Sequence, residues 1–567
     1  MRRRTPARTR SSPDPRGGAA GPRVPFDPTT RLRSPAEGET MTALDEVLAA
    51  GYGFDDDAII LGRPLDPGLQ SPLNDHYVQV PLRMLNKHGL VAGATGTGKT
   101  KTLQVFAEQL SRAGVPVFLA DLKGDLTGLA EPGPGNEHID ARMSGMGLPW
   151  AAESFPVELL SISGESGTPL RVPVSSFGPL LLAKVMDCTD TQESVLQVIF
   201  KYADESQLAL LDLVDLIELL KYLTSDEGRE VQAGYGGMST QTLNVLLRKA
   251  MELQTQGGDD FFGEPEFDVA DLRRTQDGKG VVTILNLVDV QTKPRIFSTF
   301  MMWLLAEIYE TSPEVGDPDQ PELVFFFDEA HLLFDGASKT LRGSIELTVR
   351  MIRSKGVGVF FVTQQPRDVP EDVLAQLGNR VQHALRAFTP QDQKAIKATA
   401  ATFPVSDHYE VQEALTGLGT GEALVTVLGP KGRPTPTVPT RLVAPVSLMD
   451  PVDDATVQRL MAASPLRERY AQRVDRESAA EILAKKAEER AAAAEAHERA
   501  KEEADALARR EKELEAEQKR TRKASTPARR TSNRETATER MVKNAAASVG
   551  REVGRSLIRG LLGNLRR

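Results

Sequence analysis

A chain of 567 residues exceeds one average domain and suggests two to four units. With 40% hydrophobic and 26% charged residues it is ordinary for a globular protein, and a formal net charge of −10 excludes a basic nucleic-acid coat while allowing a local basic groove. One cysteine, Cys188, excludes an intrachain disulfide and a cysteine-built metal site and fits a reducing, cytoplasmic setting.

Residues 1–40 are rich in Arg, Pro, Gly and Ser without apolar periodicity, and predict a disordered basic arm. Met41 is an alternative start; otherwise the arm serves nucleic acid or targeting. No apolar core of a secretory signal occurs there, and no run nears the roughly 20 residues that span a bilayer. Helical spacing follows from Thr42, and 58–62 and 77–80 predict short strands. Residues 41–124 form the first part of a core. His88 to Ala92 is a short buried strand, 101–110 is a helix, and 115–121 is a second parallel strand.

From 125 to 278 the distance to the next strong strand is too long for a connection, which predicts a mostly helical insertion subdomain. Within it 154–163 is strand-like, and 178–223 and 239–256 have helical spacing. Strands at 281–287, 323–327 and 357–364 and an apolar helix at 295–311 fall in the second part of the core, 279–445. Apolar strands alternating with amphipathic helices indicate an α/β fold, a mostly parallel sheet covered on both faces. Residues 446–540 predict a charged helix and linker, the helix solvated or weakly coiled-coil. Val542, Ala546, Val549, Val553, Leu557, Leu561 and Leu565 make 541–567 an amphipathic basic helix. It suits docking to its own oligomer, a protein, anionic lipid or nucleic acid.

Between the first core strand and its helix lies Gly93-Ala94-Thr95-Gly96-Thr97-Gly98-Lys99-Thr100, a complete Walker A loop. Strand, glycine loop and helix aim backbone N–H groups and a helix N-terminus at a polyphosphate. Lys99 is expected on the β/γ-phosphates and the Thr100 hydroxyl on Mg²⁺, so ATP and Mg²⁺ are the expected ligands. Phe325-Phe326-Phe327-Asp328-Glu329 has the form of a Walker B strand, with Asp328 toward Mg²⁺ and Glu329 polarising the attacking water. Gln364 ends the last strand as the γ-phosphate sensor, with Thr363 as fallback. A cation supplied across a subunit interface falls to Arg353 first, Arg380 second and Arg350 third. Asp121, Lys123 and Asp125, placed beside the phosphate loop, either tune the water or form a structural salt bridge. His331 is a packing or relay residue. The histidines and Cys188 show no metal-ligand spacing.

With these motifs in place, the chain resembles the HerA-like branch of the HerA/FtsK ATPases, and more closely the bacterial HerA-like C-terminal-domain proteins. The resemblance rests on His88 to Thr100, Val281 to Phe334, Arg353 to Gln364, Leu377 to Arg386 and Gly417 to Val425, across most of 45–445. It implies a RecA-like P-loop core, a homo-oligomer in the form of a hexameric ring, and DNA translocation or strand separation. Lys99, Thr100, Asp328, Glu329 and Gln364 take the roles given above. HerA seats its nuclease partner on an N-terminal β-barrel; only about 45 residues separate Met41 from the core strand, which argues against that partnership. Two readings therefore compete: a ring-forming DNA motor, and a regulatory or assembly ATPase acting on proteins.

Overall fold

The computed structural model describes residues 42–288, 294–334 and 339–524. The basic arm 1–40, the basic helix 541–567 and the linker from 525 onward lie outside the described residues. The strands are β1 (Ala58–Pro64), β2 (Val78–Pro81), β3 (Gly89–Ala92), β4 (Val117–Asp121), β5 (Val157–Ser161), β6 (Thr168–Pro169), β7 (Thr275–Gln276), β8 (Lys279–Gly280), β9 (Val282–Asn286), β10 (Leu323–Phe327), β11 (Val357–Thr363), β12 (Asn379–His383), β13 (Glu422–Thr426) and β14 (Val438–Leu442).

Twelve of these form one sheet in the order β2-β1-β14-β13-β12-β3-β11-β10-β4-β9-β5-β6, and β7 pairs with β8. From β12 to β6 every neighbouring pair is parallel, while β12-β13, β13-β14, β14-β1 and β1-β2 are antiparallel. Strands β3 and β10 are apolar throughout because both their faces are covered. Phe325, Phe327, Val359 and Phe361 enter one hydrophobic cluster, whereas Val324, Phe326, Phe360 and Val362 enter the other. That alternation is the two-residue period of a strand. Helix Lys99–Arg112 lies over the second cluster; Ile296, Trp303 and Ile308 of helix Pro294–Thr311 and Ile345 and Val349 of helix Lys339–Ile352 belong to the first. The result is the expected RecA-like P-loop fold.

Two stretches differ from the sequence reading. Residues 125–278 are rich in helix, including Val174–Val185, Asp190–Glu205, Leu213–Thr224 and Thr240–Leu253. However, β5 and β6 within them extend the main sheet beside β9, and the helices share the first hydrophobic cluster with it. Length alone had set the stretch apart; the pairing of β5 with β9 ties it to the sheet. Residues 446–485 likewise belong to the body. Leu466, Tyr470, Ala479 and Leu483 are buried in that cluster, and the Tyr470 ring packs 5.2 Å from Phe267 while its hydroxyl donates to Asp271. Val446 and Met461 are buried in the second cluster, and such scattered apolar anchors in a polar segment are too sparse to register as periodicity. The described residues up to Lys485 form one compact unit. Helix Ala479–Ala524 is exposed at every described position from Lys486 on, with Leu507 and Leu514 facing solvent and no apolar seam.

Candidate nucleotide site

The loop 93–98 joins β3 to helix Lys99–Arg112 in the middle of the sheet, between β12 and β11. Glycine is required where the turn passes closest to its neighbours. At Gly93 (φ 156°) an added Cβ would lie 2.4 Å from the Cβ of His383, and Gly98 (φ 110°) lies against Gly421. The loop is held from both sides. Gly93 N–H donates to Thr363 O on β11, Ala94 N–H to Ala384 O beyond β12, and Gly421 N–H to Thr97 O. Among the described residues the N–H groups of Thr95, Gly96 and Gly98 have no backbone acceptor. These donors, with the helix N-terminus behind them, suit an anionic ligand. The Lys99 ammonium donates to Gly93 O at 2.7 Å and to Ala94 O at 3.2 Å, and burial pulls its pKa below the usual lysine range.

Two strands away, β10 ends in Asp328 and Glu329. Asp328 is buried, which raises its pKa, and its Oδ2 has no hydrogen-bond partner. Glu329 adopts φ 48°, a left-handed conformation unfavourable to a side chain of this kind, which aims its carboxylate differently from a continuing strand. Burial pushes the Glu329 carboxyl up, but the Lys123 hydrogen bond and charge outweigh it and hold the group below its ordinary range. The Lys123 ammonium lies 2.8 Å from Glu329 Oε1 and 3.7 Å from Asp328 Oδ2, and His331 Nδ1 lies 3.3 Å from Glu329 Oε2. An orphaned, buried carboxylate oxygen near a phosphate loop fits Mg²⁺. Among the described residues no cluster of three or more acidic, His or Cys side chains forms an all-protein metal cage. A Mg²⁺ ion carried in with phosphates and water, held by Asp328 and the partly exposed Thr100, fits this donor set.

Gln364 is exposed directly after β11, the strand between β3 and β10, so it emerges between the loop and the acidic pair. The fallback, Thr363, is buried and its hydroxyl donates to Asp368 Oδ2 at 2.8 Å. Arg353, Arg350 and Arg380 lie instead near the amino ends of β11 and β12, lining a cavity of about 660 Å³ with Lys87 and His88. Arg380 is committed there, its guanidinium donating to the carbonyls of Leu374, Leu377 and Thr402. Arg353 and Arg350 are exposed. The sequence placed Asp121, Lys123 and Asp125 beside the loop, but β11 and β10 stand between β4 and β3. Asp121 shapes its own turn, accepting from the N–H groups of Lys123, Gly124 and Leu126. Lys123 nevertheless reaches the acidic pair, because β4 and β10 are neighbours.

Sequence reasoning missed His383. It is fully buried under the loop, with Nε2 2.9 Å from the Thr102 hydroxyl, and burial lowers its pKa to about 4, so the ring is neutral. It also missed a cavity of about 610 Å³ that opens beside Gly98, Lys101 and Thr102. Ile139, Leu442, Pro445 and Met449 give this cavity apolar walls, and Arg142 crosses it to donate to Gly421 O and Leu442 O. No local motif announces either feature; both follow from β12 to β14 lying beside β3.

Fold and loop together define a P-loop nucleotide-binding core of RecA-like architecture. The chain belongs to the Helicase HerA-like C-terminal family, whose model matches residues 68–567. It is 21% identical over 364 residues to the DNA double-strand break repair helicase HerA of Sulfolobus acidocaldarius, covering 61% of this chain and 64% of that one. For the same-named protein of Sulfurisphaera tokodaii the figures are 22% over 373 residues, 62% and 64%. The chain thus spans under two thirds of the length of these relatives. Among solved structures, the plasmid coupling protein TrwB in complex with ADP and Mg²⁺ is similar at 16% identity and TM-score 0.46, over 71% of this chain and 99% of that one. VirB4 of Thermoanaerobacter pseudethanolicus is similar at 15% identity and TM-score 0.44, over 70% and 98%. No described helix is long and apolar enough to cross a membrane.

Proposed function

We propose that the protein is a Mg²⁺-dependent ATP hydrolase of the HerA type that works on DNA as a ring-forming motor. The observation that carries this reading is the convergence of an open loop of N–H donors, Lys99, and the Asp328–Glu329 pair at the carboxyl ends of parallel strands β3 and β10, with only β11 between them. The loop N–H groups and Lys99 bind the phosphates, and the cavity beside Gly98 receives ribose and base. Mg²⁺, when bound, neutralises phosphate charge at Thr100 and Asp328. Glu329 orients a water and accepts its proton as the water oxygen bonds to the γ-phosphorus. The bond to the β–γ bridging oxygen breaks, giving ADP and inorganic phosphate. Gln364 orients the same water or reports the γ-phosphate.

Arg353 completes the charge balance from a neighbouring subunit. Support comes from its position: it precedes β11, whose seven residues span roughly 23 Å, so it stands too far from its own loop to serve it. The relatives named for DNA-break repair and helicase activity support DNA as the substrate. The test is the ATPase rate without DNA, with single-stranded DNA and with double-stranded DNA, on particles of determined mass. Stimulation by DNA on a multimer supports the motor. Turnover indifferent to DNA overturns it in favour of an ATPase that acts on protein clients.

A further inference from the structure

Lys123 is held against the acidic pair by construction. Asp121 ends β4 and draws in the N–H groups of Lys123, Gly124 and Leu126 at 3.1, 2.7 and 3.0 Å. Gly124 takes φ 74°, and the tight turn sends Lys123 across to the end of β10. Its side chain remains 46% exposed, so the ammonium sits at the mouth of the site. Lys99 is meanwhile engaged with the carbonyls of Gly93 and Ala94. The lysine in contact with Glu329 in this state is therefore Lys123.

We propose that Lys123 is a second cation, supplied in cis, for the terminal phosphate of a bound triphosphate. Without triphosphate it pairs with Glu329; with triphosphate it transfers to a γ-phosphate oxygen and releases Glu329 to hold water. This rests on the reading of the site as an ATP hydrolase. The Lys123 end of the pair is half exposed and partly hydrated, whereas Glu329 is only 13% exposed; when Lys123 leaves, His331 Nδ1 remains 3.3 Å from Glu329 Oε2. The γ-phosphate offers more charge than one carboxylate, and lysine's four-carbon stem permits the move without shifting the turn. A diphosphate brings no γ-oxygen and leaves Lys123 on Glu329. The residue thus separates triphosphate from diphosphate, whereas Lys99 and the loop serve both.

The test is the affinity of the full chain for a non-hydrolysable ATP analogue and for ADP, each with Mg²⁺, in wild type, Lys123→Met and Lys123→Arg. Wild type is expected to prefer the triphosphate. Lys123→Met should lose on the order of tenfold in that preference with ADP affinity unchanged, and Lys123→Arg should regain part of it. Preference retained in Lys123→Met overturns the proposal. An equal loss for both nucleotides also overturns it, since that is the signature of a damaged turn. Failure of the wild type to bind either nucleotide sinks the hydrolase reading itself, and the Lys123 proposal with it.

Discussion

The two ends of the same strands could hardly differ more. At their carboxyl ends, β3, β10 and β11 present loop N–H donors, an orphaned carboxylate oxygen and a lysine with short bonds to carbonyls. At their amino ends, β11 and β12 carry Arg350, Arg353 and Arg380 beside Lys87 and His88, with no acidic residue lining that cavity. One end has the donors and carboxylates suited to a polyphosphate and a water; the other is basic, with Lys87 paired to Asp317 and Arg380 bonded to carbonyls while Arg350 and Arg353 are exposed. The strand that separates them is rigid and buried. A single subunit therefore cannot combine the two sets; the proposed action of Arg353 on a neighbouring subunit would.

The largest effects should come from breaking the carboxyl end alone. Lys99→Ala should abolish nucleotide binding, measured by titration with a fluorescent ATP analogue. Glu329→Gln should bind as wild type yet lower phosphate release by at least about 100-fold. Undiminished release by Glu329→Gln would remove that residue from catalysis.

Breaking the amino end should cost turnover without costing binding. Arg353→Ala should lose about 10³-fold in rate, and mixing it with Glu329→Gln should restore some sites once subunits exchange. No recovery in a freely exchanging mixture would end the trans assignment. Arg380→Ala sharpens the contrast, because its three carbonyl contacts make it a structural residue. It should cost about 2 kcal/mol of stability, read as a drop in Tm.

A subtler difference is pH dependence. His383 has a folded pKa of about 4 against an ordinary 6.5, so between these values the folded protein binds fewer protons than the unfolded chain. Its contribution is fully present above pH 6.5 and shrinks as pH falls toward 4, by up to about 3 kcal/mol. Glu108 and Asp121, raised by burial to about 7 and about 6, act with the opposite sign. The difference between wild type and His383→Gln isolates the histidine. That gap should narrow between pH 6.5 and 4.5 in urea melts; a constant gap would show that His383 does not titrate there.

The smallest effect belongs to the far C-terminus. A cut after residue 485 should leave nucleotide binding unchanged, measured by the same titration. A cut at about 465 should lower Tm, because it removes Tyr470 and Leu483 from the core.

The candidate site was legible where its residues are consecutive. Eight residues from Gly93 to Thr100, and Asp328–Glu329 after five apolar residues, mark the candidate site within a few positions of sequence. The strands β4, β9, β10 and β11 were legible because burial on both faces makes them continuously apolar. β12 was not, since Asn379, Gln382 and His383 are polar yet buried. Asn379 Nδ2 earns its place by donating to the carbonyls of Met84 and His88, nearly 300 residues earlier. Hydropathy cannot distinguish such a strand from a loop. Helix Lys99–Arg112 hides a similar case. Lys101, Gln104 and Glu108 share one face at helical spacing and look solvent-directed, but that face is covered by residues 446–449.

That covering sets a timetable for synthesis. Lys101 donates to the carbonyl of Met449, 348 positions later, and β1 pairs with β14 across most of the chain. At about 5–20 residues per second a ribosome needs roughly 20 to 70 s to bridge that interval. Until then Lys101, Gln104 and Glu108 of the phosphate-loop helix lack the partners that residues 446–449 supply, and β12, which brings His383 beneath the loop, arrives only late in that interval. The nascent chain thus acquires its full nucleotide scaffold only once residue 449 has been made, when every strand of the sheet is available to close around it.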